Sequence, residues 1–152
     1  MSARQPEELH QLFVAGIDAH DLDALLALYE QDSTVADLAG HPLQGTDNLR
    51  AFLTGFLAVV KQIDGGTRKV LVAGDIALLS STWRAVLAAH DGGTFSVTGT
   101  SAEVARRQRD GTWRFLLDDP QFVSAPPNHK TSARGNPISV GARVVGWTWG
   151  GP

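Results

Sequence analysis

The hydrophobic pattern of this chain changes its period once, near Gly65-Gly66. Before that point apolar residues recur at helical spacing, and after it apolar and polar residues alternate in long runs. Turn signals separate those runs, namely Gly74-Asp75, Asp91-Gly92-Gly93 and Asp110-Gly111. Helical segments followed by an antiparallel meander predict an α+β fold, in which the helices pack on one face of the sheet.

The pattern also predicts the extent of each element. Helices are expected over residues 6–19, from Asp21 to about Gln31, and over 47–61, where Thr46 is the expected N-cap. A short strand, 34–38, and a loop, 40–45, come between the second and third helices. The strands expected after the change of period are 68–73, 76–89, 94–108 and 113–122.

Residues 124–152 differ in composition from the rest of the chain. They are rich in proline and glycine, which is typical of a linker. Apolar residues alternate again after Ile138 and two tryptophans, Trp147 and Trp149, follow. The sequence therefore predicts one domain, 1–123, and an extension, 124–152, that adds an edge strand or lacks a fixed packing.

Composition narrows the range of functions. The net charge is -3, with acidic and basic residues interleaved, so no nucleic-acid partner is expected. The chain has no cysteine, no apolar run of membrane-spanning length and no signal-peptide pattern near Met1, so a cytoplasmic protein is expected. Its five histidines lack ligand spacing, and no glycine-rich phosphate loop is evident. We therefore expect neither a metal nor a cofactor.

Three motifs occur in a set order. They are His20–Val35 with its Asp-Leu-Asp start, Leu43–Phe52 with Gln-Gly-Thr-Asp, and Arg109–Phe115 with Asp-Gly-Thr-Trp. Together they resemble the NTF2-like superfamily, especially its SnoaL-like and ketosteroid-isomerase-like branch, over residues 7–123. The resemblance implies a cone in which a strongly bent antiparallel sheet wraps three N-terminal helices. It also implies a pocket at the mouth of the cone and a homodimer formed through the sheet.

Asp37 is the first catalytic candidate. The stretch Thr34-Val35-Ala36-Asp37 is similar to the one that carries the proton-shuttling aspartate of ketosteroid isomerases. A carboxylate in an apolar pocket can remove a proton next to a carbonyl if donors stabilise the enolate. The family's oxyanion donors would fall at Phe13 and near Ala102, which have no donor side chain. The sequence therefore does not predict a ketosteroid isomerase, and a turn carboxylate is the alternative role of Asp37.

Asp118 and Asp119 are the next candidates, because SnoaL-like cyclases carry an acid/base aspartate on a late strand. Neighbouring strand residues point to opposite faces, so at most one of the two faces the pocket unless a bulge intervenes. The alternative is that one carboxylate pairs with an arginine and the other caps the turn before Pro120. Asp118 is taken as catalytic, and Asp119 as a substrate contact.

The remaining candidates surround the expected pocket. His41 follows Asp37 closely enough to form a proton-shuttling pair near neutral pH. Tyr29 is expected on the core face of the second helix, where its hydroxyl reaches a ligand. Phe13, Phe56 and Trp83 are expected to line the pocket for a flat apolar ligand.

Three functions are compatible with these features. The first is a cofactor-independent isomerase, cyclase or lyase that does acid/base chemistry on a hydrophobic, polyketide-like or steroid-like carbonyl compound. The second is a ligand-binding protein with the same pocket and no turnover. The third is a dimeric assembly module.

Overall fold

The computed structural model describes residues 2–123. This part of the chain has three helices, α1 (Glu8–Asp18), α2 (Leu22–Leu26) and α3 (Thr46–Val59). Its strands are β1 (Tyr29–Ala36), β2 (Pro42–Gln44), β3 (Val60–Ala73), β4 (Ile76–Ala88), β5 (Thr94–Thr100), β6 (Ala102–Arg107) and β7 (Trp113–Asp119). The predicted extension, 124–152, and its edge strand lie outside the described residues.

The strands form one curved, unclosed sheet. Their order is β2-β1-β7-β6-β4-β3, and β5 pairs with the far half of β4. Strand β1 runs parallel to β7, while the other neighbours are antiparallel. The helices pack on one face of this sheet, which confirms the predicted α+β architecture.

The core lies between the helices and the inner face of the sheet. Leu9 and Ile17 of α1 and Leu53 of α3 are almost completely buried there, against strand residues such as Leu79 and Phe115. Burying side chains of this size is the main source of stability for such a layer. None of the helices within residues 2–123 is long and apolar enough to cross a membrane.

The second helix is shorter than the sequence predicts. Asp21 caps it as expected, because its carboxylate accepts a hydrogen bond from the Ala24 N–H at 2.9 Å. The helix ends at Leu26, however, and Tyr29 begins β1. The predicted placement of Tyr29 on a helix is therefore wrong. Pairing across the sheet overrides the local helical pattern, since the Phe115 N–H donates to the Leu28 carbonyl at 2.7 Å.

The start of the third helix also differs from the prediction. The residue at the N-cap is Gly45, whose φ of 84° is easily adopted only by glycine. The Thr46 hydroxyl instead donates to the Gln31 carbonyl at 3.3 Å and so ties the helix to β1. Strand β3 begins at Val60, directly after this helix, and passes through Gly65-Gly66. The predicted break at those glycines does not occur.

The expected long strand 94–108 is divided in two at Ser101. Residues 82–88 of β4 pair with β5, whereas 76–79 pair with β6. The Ser101 N–H donates to the Ser81 carbonyl at 3.0 Å, which holds the junction between the two pairings. Strand β4 thus pairs with β6 along its first half and with β5 along its second half.

The outer face of the sheet carries a row of apolar residues. Leu71, Leu78, Val104 and Leu117 are successive register partners across β3, β4, β6 and β7. Three of them are about half exposed, at 55% for Leu71, 48% for Leu78 and 47% for Leu117. We refer to these four residues as the outer row.

Candidate functional site

A cavity of about 90 Å³ lies between the helices and the inner face of the sheet. Its apolar wall includes Phe13, Val14, Phe52, Phe56, Trp83 and Phe115. Its polar side chains are His10, Tyr29, Ser81, Ser101, Glu103 and Asp118. An apolar cavity with a few grouped polar side chains is the usual form of a small-molecule site.

A β-bulge turns Asp118 toward this cavity. Val104 pairs with Leu117 and Ala105 pairs with Phe115, so Leu116 is an extra residue in β7. In a regular strand the three-residue separation of Phe115 and Asp118 would place them on opposite faces, because strand side chains alternate. The bulge places both on the inner face and leaves Leu117 in the outer row.

Asp118 is paired with Tyr29. The Tyr29 hydroxyl donates to Asp118 Oδ2 at 2.7 Å, and Tyr29 itself is only 4% exposed. Burial, followed by the charge of Glu103, raises the pKa of Asp118 to about 7. Burial and the Asp118 charge likewise raise the pKa of Tyr29 well above its ordinary value. Near neutral pH, Asp118 can therefore either donate or accept a proton, while Tyr29 keeps its hydroxyl proton.

A second polar pair lies beside the first. Glu103 is the cross-strand partner of Asp118 and is 3% exposed. His10 Nε2 approaches Glu103 Oε1 to 3.0 Å, an ion-pair contact that lacks hydrogen-bond geometry. The Phe115 ring contacts both pairs, with its centroid 5.7 Å from that of His10 and 5.1 Å from that of Tyr29.

Trp83 forms one wall of the cavity and is held on both sides. Its register partners are Gly65 on β3 and Gly99 on β5, neither of which has a side chain to compete for the space. Its indole N–H donates to the Pro120 carbonyl at 2.6 Å, just after the end of β7. The ring is therefore fixed by two glycines and one hydrogen bond.

Asp37 and His41 lie elsewhere, in the turn between β1 and β2. The Asp37 carboxylate accepts from the backbone N–H groups of Ala39 and His41 at 2.9 and 2.8 Å. The His41 ring lies 3.1 Å away. Partial burial raises the pKa of Asp37, but the bonds from His41 and Ala39 outweigh it and the pKa is lowered. Neither residue is among those that line the cavity.

Five of the predicted site residues do line the cavity together, namely Phe13, Tyr29, Phe56, Trp83 and Asp118. Asp119 does not, because its side chain accepts from the Gln121 N–H at 3.0 Å and so stabilises the turn after β7. The open choice between Asp118 and Asp119 is thus resolved in favour of Asp118 as the residue at the cavity.

The sequence did not single out Glu103 or His10. An acid does lie on this strand one position after Ala102, and this residue, Glu103, lines the cavity. Ser101, Glu103 and Ala105 are alternate residues that are all buried. This alternation is the signal that could have identified Glu103 as an inward-facing residue. His10 is buried on α1, where nothing in its local pattern distinguishes it from a core residue. Within residues 2–123, no group of three or more His, Asp or Glu side chains is arranged to hold a metal.

Comparison with known families agrees with this architecture. The SnoaL-like domain model matches residues 10–116. The chain belongs to the SnoaL-like family. No curated protein matches this SnoaL-like chain.

Solved structures give the same fold. A ketosteroid isomerase-like protein from Erwinia carotovora atroseptica SCRI1043 superposes with a TM-score of 0.67 at 16% identity, covering 74% of this chain and 89% of that one. An NTF2-like superfamily protein from Salmonella enterica serovar Typhimurium LT2 gives 0.63 at 16% identity, covering 74% and 84%. A cystatin-like-fold domain from Nostoc punctiforme PCC 73102 gives 0.63 at 18%, covering 76% and 73%.

Replacing Gly99 by alanine should displace Trp83. An added Cβ would lie 2.6 Å from three atoms of the indole ring. We expect the ring to turn, the bond to Pro120 to break and the free energy of unfolding to fall by about 1–3 kcal/mol, as is usual for overpacking. Urea unfolding and near-ultraviolet circular dichroism measure both effects. Gly66→Ala is the matched control, because its Cβ would meet nothing within 4 Å. Equal losses of unfolding free energy in Gly99→Ala and Gly66→Ala would contradict the expected displacement of Trp83.

The raised pKa of Asp118 predicts how stability depends on pH. The folded chain holds a proton on Asp118 up to about pH 7, whereas the unfolded chain loses it near the ordinary value of 3.8. This group's contribution is therefore full below about pH 4 and is lost as the pH rises toward 7.

Asp118→Asn removes this titration. The free energy of unfolding of the wild type, minus that of Asp118→Asn, should fall between about pH 4 and 7 and then level off. Urea unfolding at a series of pH values measures the difference. Asp119→Asn is the control, and parallel curves for wild type and Asp118→Asn would refute the prediction.

Proposed function

We propose that this protein binds a small, neutral, hydrophobic carbonyl compound and transfers protons to and from it. It would act without a cofactor, as an isomerase, cyclase or lyase of the cytoplasm. The observation that carries the proposal is the Tyr29–Asp118 hydrogen bond, 2.7 Å long, which lies in a mainly apolar cavity. This proposal transfers the predicted acid/base role from Asp37 to Asp118, because Asp37 bonds within its own turn.

The proton-transfer step follows from the hydrogen bond. Tyr29 donates its only hydroxyl proton to Asp118 Oδ2, so Asp118 Oδ1 is the position from which a proton reaches a ligand. With a pKa of about 7, Asp118 is protonated in a useful fraction of molecules at neutral pH. Protonating a carbonyl oxygen weakens the neighbouring C–H bond, which begins enolisation.

The size of the cavity narrows the compound class. A volume of 90 Å³ corresponds to about six to nine water-sized positions, at about 10–15 Å³ each. A polyketide-like compound of one or two rings fits this space better than a steroid. The aromatic and aliphatic walls favour a flat ring, and the few polar groups favour a neutral molecule.

The proposal predicts a preference for ketones. In a thermal-shift assay, 1-tetralone should stabilise the protein more than tetralin, which has the same rings without the carbonyl. A ligand at 100 times its Kd adds about 2.7 kcal/mol of stability. The preference should decline above pH 7, because Asp118 then loses the proton that it donates. Asp118→Asn should abolish this pH dependence, whereas Asp119→Asn, its neighbour outside the cavity, should retain it.

Turnover is tested with the same compound. Exchange of the α-protons of 1-tetralone for deuterium, followed by NMR in D2O, reports enolisation directly. Exchange that Asp118→Asn lowers about 100-fold or more supports catalysis. Binding of the ketone without exchange would favour the non-catalytic ligand-binding function. No difference between 1-tetralone and tetralin would refute the proposed site.

The outer row supports a second function, that of a dimeric assembly module. The row crosses four neighbouring strands and its three leucines are about half exposed, which is more contiguous apolar surface than scattered single residues give. We propose that a second copy of this chain covers the row, sheet against sheet. This homodimer is compatible with a functional cavity, because the cavity opens on the other face.

Leu78→Glu should therefore weaken the dimer, because it places a charge in the middle of the covered row. Sedimentation velocity at micromolar concentrations measures the change in mass. Thr98→Glu is the control, an exposed position on β5 outside the row. A wild type that is monomeric, or a Leu78→Glu variant that remains dimeric, would refute this arrangement.

A further inference from the structure

The Thr67 hydroxyl lies behind the His10 ring. Thr67 Oγ1 is 2.6 Å from His10 Nδ1 and has the Glu7 carbonyl as an acceptor at 3.2 Å. A hydroxyl has one proton to donate. With that proton on the Glu7 carbonyl, Thr67 accepts from the ring, and this arrangement favours the tautomer with the hydrogen on Nδ1.

This tautomer determines what lies between His10 and Glu103. A neutral ring with its hydrogen on Nδ1 has a lone pair on Nε2, which lies 3.0 Å from Glu103 Oε1. A lone pair and a carboxylate oxygen repel each other at that distance inside a protein. A hydrogen on Nε2 as well removes this repulsion, and the contact is then the ion pair of an imidazolium with a carboxylate.

The second oxygen of Glu103 has a different environment. Oε2 is shielded from solvent and has no hydrogen-bond partner among residues 2–123. In that ion pair the hydrogen is on His10 Nε2 and faces Oε1, so Oε2 is left as an acceptor. An acceptor that is buried without a donor is costly to maintain in a fold, and such groups are concentrated at functional sites.

The position of Glu103 relative to Asp118 completes the arrangement. The two residues are direct register partners on β6 and β7, and both line the cavity. Opposed residues of adjacent strands have Cβ atoms about 5 Å apart. A single small ligand can therefore reach both carboxyl groups. One of them is bonded to Tyr29, and the other contacts His10.

We propose that Glu103 is the base of this site and that His10, held in one tautomer by Thr67, is its positioning residue. This inference rests on the proposed function and assigns different roles to the two carboxyl groups of the site. Glu103 takes the proton from the carbon next to the carbonyl, and the C–H electron pair becomes the new C=C bond. The carbonyl oxygen takes the proton of Asp118, which gives the enol. Reversal at the same or another carbon returns both protons.

The test uses a probe that needs a base and no carbonyl. In 5-nitrobenzisoxazole, loss of the ring C–H proton forms a nitrile as the N–O bond breaks and the oxygen leaves as a coloured phenolate. The full chain should open this ring faster than acetate does at equal pH. Glu103→Gln should lower that rate about 100-fold, and Glu103→Asp should recover part of it. Asp118→Asn should lower it less, although the same variant suppresses deuterium exchange in 1-tetralone.

His10 is tested through the pH profile and through NMR. Thr67→Val removes the acceptor of the Nδ1 hydrogen and should shift the pH dependence of ring opening, and Thr67→Ser should restore it. Nitrogen-15 NMR of the wild type should show His10 with Nδ1 protonated throughout the titration. Glu30→Gln is the control, because Glu30 is a half-buried carboxylate that pairs with Arg106 outside the cavity.

The outcomes separate this inference from the proposed function. If Asp118→Asn abolishes ring opening and Glu103→Gln does not, Asp118 is the base, and only the present inference fails. If the wild type neither opens the ring nor exchanges the ketone, both fail. An unprotonated Nδ1 on His10 would overturn the positioning role of His10, even if Glu103 proved to be the base. If Glu103→Gln does not fold, the ring-opening rate of Glu103→Asp still tests Glu103 as the base, and the NMR titration still tests the role of His10.

Discussion

The site depends on the parallel pairing of β1 with β7. The Phe115 N–H donates to the Leu28 carbonyl, and Tyr29 becomes the register partner of Phe115. This contact joins a segment near the start of the domain to its last strand. It brings Tyr29 to Asp118, 89 residues further along the chain. Non-local pairing of this kind is costly in loop entropy and needs a well-packed core to persist. The buried Phe115 ring supplies part of that core and also contacts both polar pairs.

The fold class was predictable from the sequence because hydrophobic period is a strong local signal. Helix α1, strands β4 and β7 and the three turns after Gly65-Gly66 follow from it, whereas the start of β3 and the division of 94–108 do not. The short α2 and the early start of β1 do not, because they depend on Phe115, which is distant in sequence. Thr46 resembled a helix cap by residue type, yet Gly45 occupies that position with a positive φ. Local sequence patterns therefore predict which elements form, whereas tertiary contacts determine the residues at which they begin and end.

The candidate site was predictable in part, for similar reasons. The aromatic residues Phe13, Phe56 and Trp83 were identified because large apolar side chains on inner faces tend to line cavities. His10 was missed, since a single buried histidine leaves no pattern in one sequence, and Glu103 was missed although it alternates with Ser101 and Ala105 on the inner face. Asp37 drew attention through its neighbours, but its hydrogen bonds are local and close a turn. Choosing between Asp118 and Asp119 required the register, and the register depends on one irregular residue.

That irregular residue, Leu116, lets two residues that are three apart in sequence share the inner face of β7. Deleting it would restore plain alternation and keep Asp118 opposite Glu103, because Val104 already pairs with Leu117 and Ala105 with Phe115. A protein of this shape would instead lose the inner Asp118 carboxyl group if β7 paired regularly with Leu116 retained, because Leu117 would then lie opposite Glu103. In a family that shares one architecture, such a change of register in the last strand offers a short evolutionary route between an enzyme and a binding protein.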